Sequence, residues 1–302
     1  MQLAYSTNGF TRLDLPAAIR RIAAHGFAGV ELLADRPHWD PQHDHRDRRM
    51  VLTALRETGL AVSNVNVNTA MALWPEWVPE TLFEPSLSNR DPAVRRRRLD
   101  YTEAALDFAA AMGAQCVSVT SGRTEAAVPP AEGRSWFADS LEEVCARAAQ
   151  RGLRVGIEYE PGLLVETAAE VRRLIDEVGH PALGANLDIG HAICAHEDPL
   201  ESIALLAGRI WNIHLEDIRG RKHFHLIPGE GDVDFGAVAR ALEAVHYPGF
   251  VTVELYTCAD RADEAAGRAH THLTPFFMAG EAGPPARTHR TGEMLAEERA
   301  TR

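Results

Sequence analysis

Residues 152–191 read GLRVGIEYEPGLLVETAAEVRRLIDEVGHPALGANLDIGH, and this stretch indicates the fold. Two nearly continuous apolar runs, Arg154–Glu160 and Leu183–Asp188, flank a helical pattern over Glu166–Val178. Gly179 ends that helical pattern and leads directly into the second run. Continuous apolar runs are typical of parallel strands that are covered on both faces. The stretch therefore predicts a strand–helix–strand unit with parallel strands.

The same unit recurs along the chain. Asp14 is a suitable N-cap for the first helix, with Pro16 in its first turn and Gly26 as its stop. Eight strands are predicted: Leu3–Ser6, Gly29–Ala34, Ala61–Asn68, Cys116–Thr120, Arg154–Glu160, Leu183–Asp188, Ile210–Glu216 and Phe250–Tyr256. This alternation predicts an α/β fold, a single-domain (β/α)8 TIM barrel over residues 1–278. A doubly wound sheet would need a phosphate-binding glycine fingerprint after the first strand, and Ser6–Phe10 does not supply one.

Three segments fall outside the repeat. Residues 69–90 form a long insert after the third strand, and its tryptophans, Trp74 and Trp77, favour either a lid or interface, or a loop packed on its own aromatic residues. Residues 37–48 are predicted to be a polar loop with His38, His43 and His45 in solvent. Residues 279–302 contain a Pro-Pro pair and no apolar period, which predicts a mobile tail.

Composition restricts the function classes. The 302 residues include 31 Lys and Arg against 43 Asp and Glu, a formal net charge of −12. Such an acidic chain repels a phosphate backbone and an anionic membrane surface, so we expect neither a nucleic-acid nor a membrane partner. There is no apolar stretch of about 20 residues that would span a bilayer. The N-terminus lacks a signal-peptide pattern, and the four widely spaced cysteines favour reduced thiols, which together predict a cytoplasmic protein.

Ionisable residues stand at the carboxyl ends of the last four predicted strands. Glu158 belongs to the fifth strand, Asp188 to the sixth, His214 to the seventh and Glu254 to the eighth. Barrel active sites are built at this end of the strands. Each group has apolar neighbours in the sequence, where a charge is costly unless it is paired or bound to a metal. Three carboxylates and one imidazole suit one divalent metal ion, Mn²⁺, Mg²⁺, Co²⁺ or Zn²⁺.

Two motifs give the chain a resemblance to a known family. They are Leu187-Asp188-x-x-His191, and His214-Leu215-Glu216-Asp217 followed by His225-Leu226-Ile227-Pro228-Gly229-Glu230-Gly231-Asp232. Over about residues 1–275 the chain resembles the xylose-isomerase-like barrel superfamily, which includes tagatose/psicose 3-epimerases, inosose dehydratases and the endonuclease IV branch. The resemblance implies metal binding by Glu158, Asp188, His214 and Glu254, with Glu160 as the rival of Glu158 on the fifth strand.

The resemblance also implies catalytic and substrate-binding roles. In the epimerases the glutamates of strands five and eight form the acid/base pair, which here corresponds to Glu158 and Glu254. The histidine of the Asp-x-x-His motif and an arginine after the strand-seven histidine hold the substrate. These positions correspond to His191 and to either Arg219 or Arg221. Further substrate-binding candidates are Glu160, His225 and Glu31, the last of which could instead pair with a loop arginine.

The endonuclease branch tests the resemblance. It matches this chain at His225, which is a second-metal ligand in that branch. It also needs histidines at the ends of strands three and four, whereas those ends read Asn64–Asn68 and Val119–Gly122 here. His223 stands where that branch has an aspartate. We therefore expect a one-metal enzyme that acts on sugars rather than on nucleic acid.

The residue types predict proton transfer at a carbon next to a carbonyl. A divalent cation chelated by the carbonyl and an adjacent hydroxyl stabilises the developing enolate, and a carboxylate on each face removes or returns the proton. This predicts a sugar or cyclitol isomerase or epimerase with a small polyol or sugar substrate. A lyase of the inosose-dehydratase type, which expels a β-hydroxyl at the same site, stays open. So does a non-catalytic metabolite-binding barrel, although the intact ligand set argues against it. A homo-oligomer is also left open.

Overall fold

The computed structural model describes residues 1–41, 44–74, 82–123 and 126–277, apart from the side chains of residues 44–47. Its strands are β1 (Gln2–Ser6), β2 (Gly29–Leu33), β3 (Ala61–Asn66), β4 (Cys116–Val119), β5 (Arg154–Ile157), β6 (Leu183–Asp188), β7 (Ile210–Leu215), β8 (Asp217–Arg219), β9 (Lys222–Leu226) and β10 (Phe250–Val253). Eight of them close into a parallel barrel in the order β1–β10–β7–β6–β5–β4–β3–β2. The short strands β8 and β9 form a separate antiparallel hairpin. The predicted (β/α)8 barrel is confirmed.

Helices connect the barrel strands. They are α1 (Leu15–Ala24), α2 (Asp44–Thr58), α3 (Pro92–Met112), α4 (Pro130–Gln150), α5 (Ala168–Val178), α6 (Ile189–Cys194), α7 (Pro199–Leu205), α8 (Phe235–Ala244) and α9 (Ala262–Phe277). Asp14 caps α1 as predicted, because its Oδ1 accepts a hydrogen bond of 2.8 Å from the Ala17 amide. At Gly179 the chain adopts the left-handed conformation that ends α5, with φ at +63°. None of the described helices is both long and apolar enough to cross a membrane.

The predicted polar loop over residues 37–48 is wrong in two respects. Helix α2 begins at Asp44, and the sequence pattern missed it because its buried apolar residues, Val51, Ala54 and Leu55, all lie in its second half. His38 is buried rather than solvated, and its Nδ1 lies 3.1 Å from the hydroxyl of Thr7. Burial lowers the pKa of His38 to about 4. His43 and the side chain of His45 lie outside the described residues.

Strands β5, β7 and β10 end one to three residues earlier than predicted, and a glutamate follows each of them at the barrel mouth. Glu158, Glu216 and Glu254 each stand immediately after the last residue of their strand. The backbones of Glu158 and Glu254 still follow the barrel, since the Glu158 amide donates to Val119 O at 2.9 Å and the Glu254 amide donates to Leu215 O at 3.1 Å. The side chains of Glu158 and Glu254 therefore project from the rigid end of the barrel wall.

The predicted insert over residues 69–90 is described only in part. Met71–Leu73 forms a short 3-10 turn, and the indole Nε1 of Trp74 donates to Glu84 O at 2.9 Å. The guanidinium of Arg97 lies 5.2 Å from the centre of the Trp74 ring. Trp77 and the predicted tail over residues 279–302 lie outside the described residues.

Candidate metal centre

Four ionisable side chains meet at the carboxyl end of the barrel. Glu158, Asp188, His214 and Glu254 are all buried, and each offers a ligand atom within 4.8 Å of the others. The imidazole is central: its Nδ1 lies 3.2 Å from Glu158 Oε2, 3.8 Å from Glu254 Oε1 and 4.0 Å from Asp188 Oδ2. These are the four residues that the sequence analysis singled out as ligands, and Glu160 is not in the group.

The group fits a divalent cation. Asp188 Oδ1 accepts a hydrogen bond of 2.8 Å from the backbone amide of His191 at the start of α6. Among the described residues, no N–H group donates to Asp188 Oδ2, although that oxygen is buried. A buried carboxylate oxygen without a donor is costly unless a cation compensates it. Three carboxylates and an imidazole around one point form a donor set for a hard or borderline divalent ion.

Glu31 orients the central imidazole. Its Oε2 lies 2.5 Å from His214 Nε2 and accepts a hydrogen bond of 2.7 Å from Asn64 Nδ2. Burial opposes a charge on His214, but Glu31 and Glu158 outweigh it and raise the pKa of the imidazole well above its ordinary value. A carboxylate on Nε2 leaves Nδ1 facing the other carboxylates, as in many carboxylate–histidine–metal arrangements. Glu31 is fully buried, so in this structure it contacts a candidate ligand rather than solvent.

Side-chain amides hold the two glutamates, and the sequence analysis did not single out these asparagines. Asn8 and Asn66 donate to Glu254 Oε1 at 2.7 and 3.3 Å, Asn68 donates to Glu158 Oε2 at 2.9 Å, and Asn186 donates to the same Glu158 oxygen. For Asn66 and Asn68, the sequence signal that could have revealed them is the period of two in Asn64–Asn68, because residues two apart on a strand share one face. The amides thus hold the same two glutamate oxygens, Glu158 Oε2 and Glu254 Oε1, that face His214 Nδ1.

Glu216 lies behind Asp188. Both of its oxygens are buried, and no N–H group of the described residues donates to either. Burial raises the pKa of Glu216 well above its ordinary value, and the neighbouring Asp188 carboxylate raises it further. Glu216 and Asp188 are thus neighbouring buried carboxyl groups at the barrel mouth. Glu216 belongs to the His214-Leu215-Glu216-Asp217 motif, but its proximity to Asp188 is visible only in the structure.

The predicted substrate-binding histidines lie beside the four-residue group. His191 Nε2 is 3.8 Å from Asp188 Oδ2, and His225 Nδ1 is 3.8 Å from Glu254 Oε2. Both rings also approach His223, which the sequence analysis did not select as a site residue. Burial lowers the pKa of His225 to about 3. The ring of Tyr256, which is 46% exposed, packs 4.3 Å from the His225 ring.

The remaining predicted residues lie at the rim. Arg219 and Arg221 are exposed on the β8–β9 hairpin. Arg219 donates to the Glu230 carbonyl, and Arg221 Nη1 lies 2.6 Å from His196 Nδ1. Their described hydrogen bonds do not include any of the four candidate ligands. Glu160 is half-buried, and burial raises its pKa to about 7 although His191 opposes the rise.

Comparison with known proteins identifies the family. Residues 19–274 match the family model described as xylose isomerase-like TIM barrel. The chain belongs to this family. A fructoselysine 3-epimerase from Escherichia coli O157:H7 is 26% identical over 262 residues, which are 85% of this chain and 91% of that protein. A solved structure of the IolI protein with a bound zinc atom superposes with a TM-score of 0.76 at 17% identity, over 92% of this chain and 100% of that one.

An inosose dehydratase from Clostridium perfringens is a further relative in the family. It is 27% identical over 177 residues, which are 49% of this chain. The match spans 60% of the dehydratase, less than two thirds of its length. The relatives of this chain therefore include both an epimerase and a dehydratase.

Proposed function

We propose that the protein is a divalent-metal-dependent epimerase or isomerase of a sugar or cyclitol. The observation that carries the proposal is the pair of glutamates from different strands, Glu158 and Glu254, whose oxygens lie 3.2 and 3.8 Å from His214 Nδ1. A divalent ion held by these glutamates with Asp188 and His214 would supply Lewis-acid stabilisation of a substrate carbonyl oxygen. The likeness to a fructoselysine 3-epimerase and to a zinc-containing solved structure supports the reaction class and the metal.

The two glutamates divide the proton transfer. One carboxylate removes the proton from the carbon next to the carbonyl, and the electron pair of the broken C–H bond moves to the carbonyl oxygen. The other carboxyl returns a proton to the opposite face, which inverts that carbon. Burial raises the pKa of Glu254 well above its ordinary value; His214 opposes this rise and Glu158 adds to it. Epimerisation is reversible, so each glutamate serves as the base in one direction and as the proton donor in the other.

Isotope exchange tests this division. The protein is loaded with Mn²⁺ and incubated in D₂O with a panel of ketoses and inososes, and deuterium is followed in substrate and product. Glu158→Gln and Glu254→Gln should each keep an oxygen ligand and lose more than about 10²-fold in turnover, since each lacks one general acid/base group. One variant should exchange deuterium into substrate and the other into product.

A matched variant controls for the loss of a surface charge. Glu243→Gln removes an exposed carboxylate of α8, away from the barrel mouth, and should leave turnover unchanged. Normal turnover by both site variants would refute the two-carboxylate proposal, and so would a wild-type protein that exchanges no substrate proton.

A lyase is the second candidate function, and Glu160 favours it. A half-buried carboxyl with a pKa of about 7 can protonate a leaving hydroxyl at neutral pH. The likeness to an inosose dehydratase points the same way. In that case the panel would yield an enone and water from an inosose, and Glu160→Gln would abolish this product while leaving proton exchange at the adjacent carbon intact. An epimerase predicts no enone from any member of the panel.

A further inference from the structure

A polar layer lies in the barrel interior directly below the candidate ligands. Asn186, Asn212 and Thr252 each stand two residues before a candidate ligand along the chain, and residues two apart on a strand share one face. The three side chains are at most 1% exposed. The interior layers of such barrels are usually filled by bulky branched apolar side chains. A layer of amides and a hydroxyl therefore needs an explanation other than packing.

Hydrogen bonds join this layer into a chain that ends on a glutamate. Thr252 Oγ1 donates to Asn212 Oδ1 at 3.0 Å, and Asn212 Nδ2 donates to Asn186 Oδ1 at 2.9 Å. Asn186 Nδ2 then donates to Glu158 Oε2. The chain crosses neighbouring strands in the order of the barrel, from β10 through β7 and β6 to the end of β5. The other glutamate, Glu254, is held by different amides.

The carboxylate at the end of the chain sets its direction. An asparagine amide donates through its nitrogen and accepts through its oxygen, whereas an ionised carboxylate only accepts. The Asn186 nitrogen therefore has to face Glu158, and its oxygen needs a donor, which is Asn212. The Asn212 oxygen needs a donor in turn, and the hydroxyl of Thr252 supplies it. Reversal of either amide would bring two acceptors or two donors together in a buried layer, where unpaired polar atoms are costly.

A glycine gives the chain its room. Gly156 is the residue of β5 two positions before Glu158, so it belongs to the same layer. A Cβ at Gly156 would lie 2.8 Å from the backbone nitrogen of Asn186 and 3.1 Å from its Cβ. Any larger residue would push Asn186 aside. The glycine thus leaves the space in which Asn186 reaches from β6 to the Glu158 carboxylate.

We propose that Asn212 and Thr252 are positioning residues for proton transfer by Glu158. They act through Asn186, which donates to Glu158 Oε2. That oxygen lies 3.2 Å from His214 Nδ1, so its position affects both the base and the candidate metal centre. This inference rests on the proposed function, and it adds that the two glutamates have separate supports. One of them can therefore be disturbed without the other.

Isotope exchange at saturating Mn²⁺ tests the proposal. The exchange that belongs to Glu158 is the one that Glu158→Gln loses. Asn212→Leu roughly keeps the volume and removes both hydrogen bonds, so it should slow that exchange about 10- to 100-fold, as is typical for the partner of a site residue. The exchange that belongs to Glu254 should keep its wild-type rate. Thr252→Val should act in the same direction as Asn212→Leu, whereas Thr252→Ser keeps the hydroxyl and should match wild type.

A matched variant controls for the loss of a buried hydrogen bond. Tyr247→Phe removes a buried hydroxyl that donates to Phe250 O at 2.8 Å, at the other end of β10. Both exchanges should be unchanged in this variant, and urea denaturation checks that each variant is folded. A purely structural role of Asn212 would slow the two exchanges together, and that result would overturn the proposal. Wild-type exchange in folded Asn212→Leu would also overturn it.

Mn²⁺ affinity gives a readout that does not need turnover. In calorimetric titration, Asn212→Leu should weaken Mn²⁺ binding about 10-fold in wild type and in Glu254→Ala. It should have no further effect in Glu158→Ala, because the chain has lost its end there. A wild-type protein that exchanges no substrate proton would refute the proposed function, and this comparison would then decide the role of the chain alone. Equal effects of Asn212→Leu in the two alanine backgrounds, or no effect in wild type, would show that the chain does not support Glu158.

Discussion

Replacing Gly190 with alanine is expected to disturb the metal centre from behind. A Cβ at this position of α6 would lie 2.7 Å from Glu216 Cδ, closer still to its Oε1, and 3.1 Å from Ile218 Cδ1. These separations are shorter than ordinary contacts, so the buried Glu216 carboxyl has to move. Glu216 is the buried carboxyl group next to Asp188. The substitution thus displaces a neighbour of a candidate ligand without touching the ligand itself.

Two opposing terms determine the change in the free energy of unfolding. Alanine is favoured over glycine within a helix by about 0.5–1 kcal/mol. Overpacking of a tight interior costs about 1–3 kcal/mol. Gly190→Ala should therefore lower the free energy of unfolding by about 1–2 kcal/mol. Loss of the Glu216 contact should weaken Mn²⁺ binding about 10- to 100-fold, as is typical when the partner of a metal ligand is removed.

Gly267→Ala in α9 is the matched control. A Cβ at Gly267 would lie 3.4 Å from His25 Nδ1 and 3.6 Å from its Cε1, which are ordinary contacts. Only the helix-propensity term remains, so the free energy of unfolding of this variant should rise by about 0.5–1 kcal/mol. Urea denaturation measures both free energies, and calorimetric titration measures Mn²⁺ affinity.

A double variant separates steric clash from positioning. Glu216→Asp shortens the side chain by one methylene and should restore much of the stability of Gly190→Ala without restoring Mn²⁺ affinity. If Gly190→Ala binds Mn²⁺ as tightly as wild type, Glu216 does not position Asp188 and the reasoning is refuted.

Two further predictions concern histidines. The pKa of His38 is about 4 in the folded protein and 6.5 in the unfolded chain, so the unfolded chain binds the proton first as the pH falls. The free energy of unfolding should therefore fall by about 3 kcal/mol between pH 6.5 and pH 4. His38→Gln should lack this part of the decline when urea denaturation is measured at a series of pH values. An equal pH dependence of stability in wild type and His38→Gln would contradict this prediction. His191→Asn should keep the Mn²⁺ of the four-residue centre and lose most turnover, as measured by elemental analysis and kinetics; loss of Mn²⁺ would make His191 a ligand of that centre.

The sequence by itself determined the order of the eight barrel strands and pointed to the four candidate ligands. Apolar runs with helices between them predict parallel strands, and a barrel brings the carboxyl ends of its strands together. Asp188, His214 and Glu254 could therefore be selected from their positions at the strand ends. The choice of Glu158 over Glu160, which is two residues further along and on the same strand face, came from the family resemblance. The bounds of β6 were also predicted correctly, since Asp188 both ends the strand and caps α6.

Only the tertiary structure decided what each of these residues faces. Asn8 meets Glu254 across 246 residues of sequence, and Glu31 meets His214 across 183. Local patterns determine which face of a strand a side chain occupies, but not the partner that closure of the barrel brings opposite it. His223 was not selected for the same reason: its contacts with His191 and His225 arise where α6 approaches β9, and that approach leaves no period in the sequence. A polar side chain acquires its hydrogen-bond partners, its pKa and its ligand geometry from neighbours that are distant along the chain.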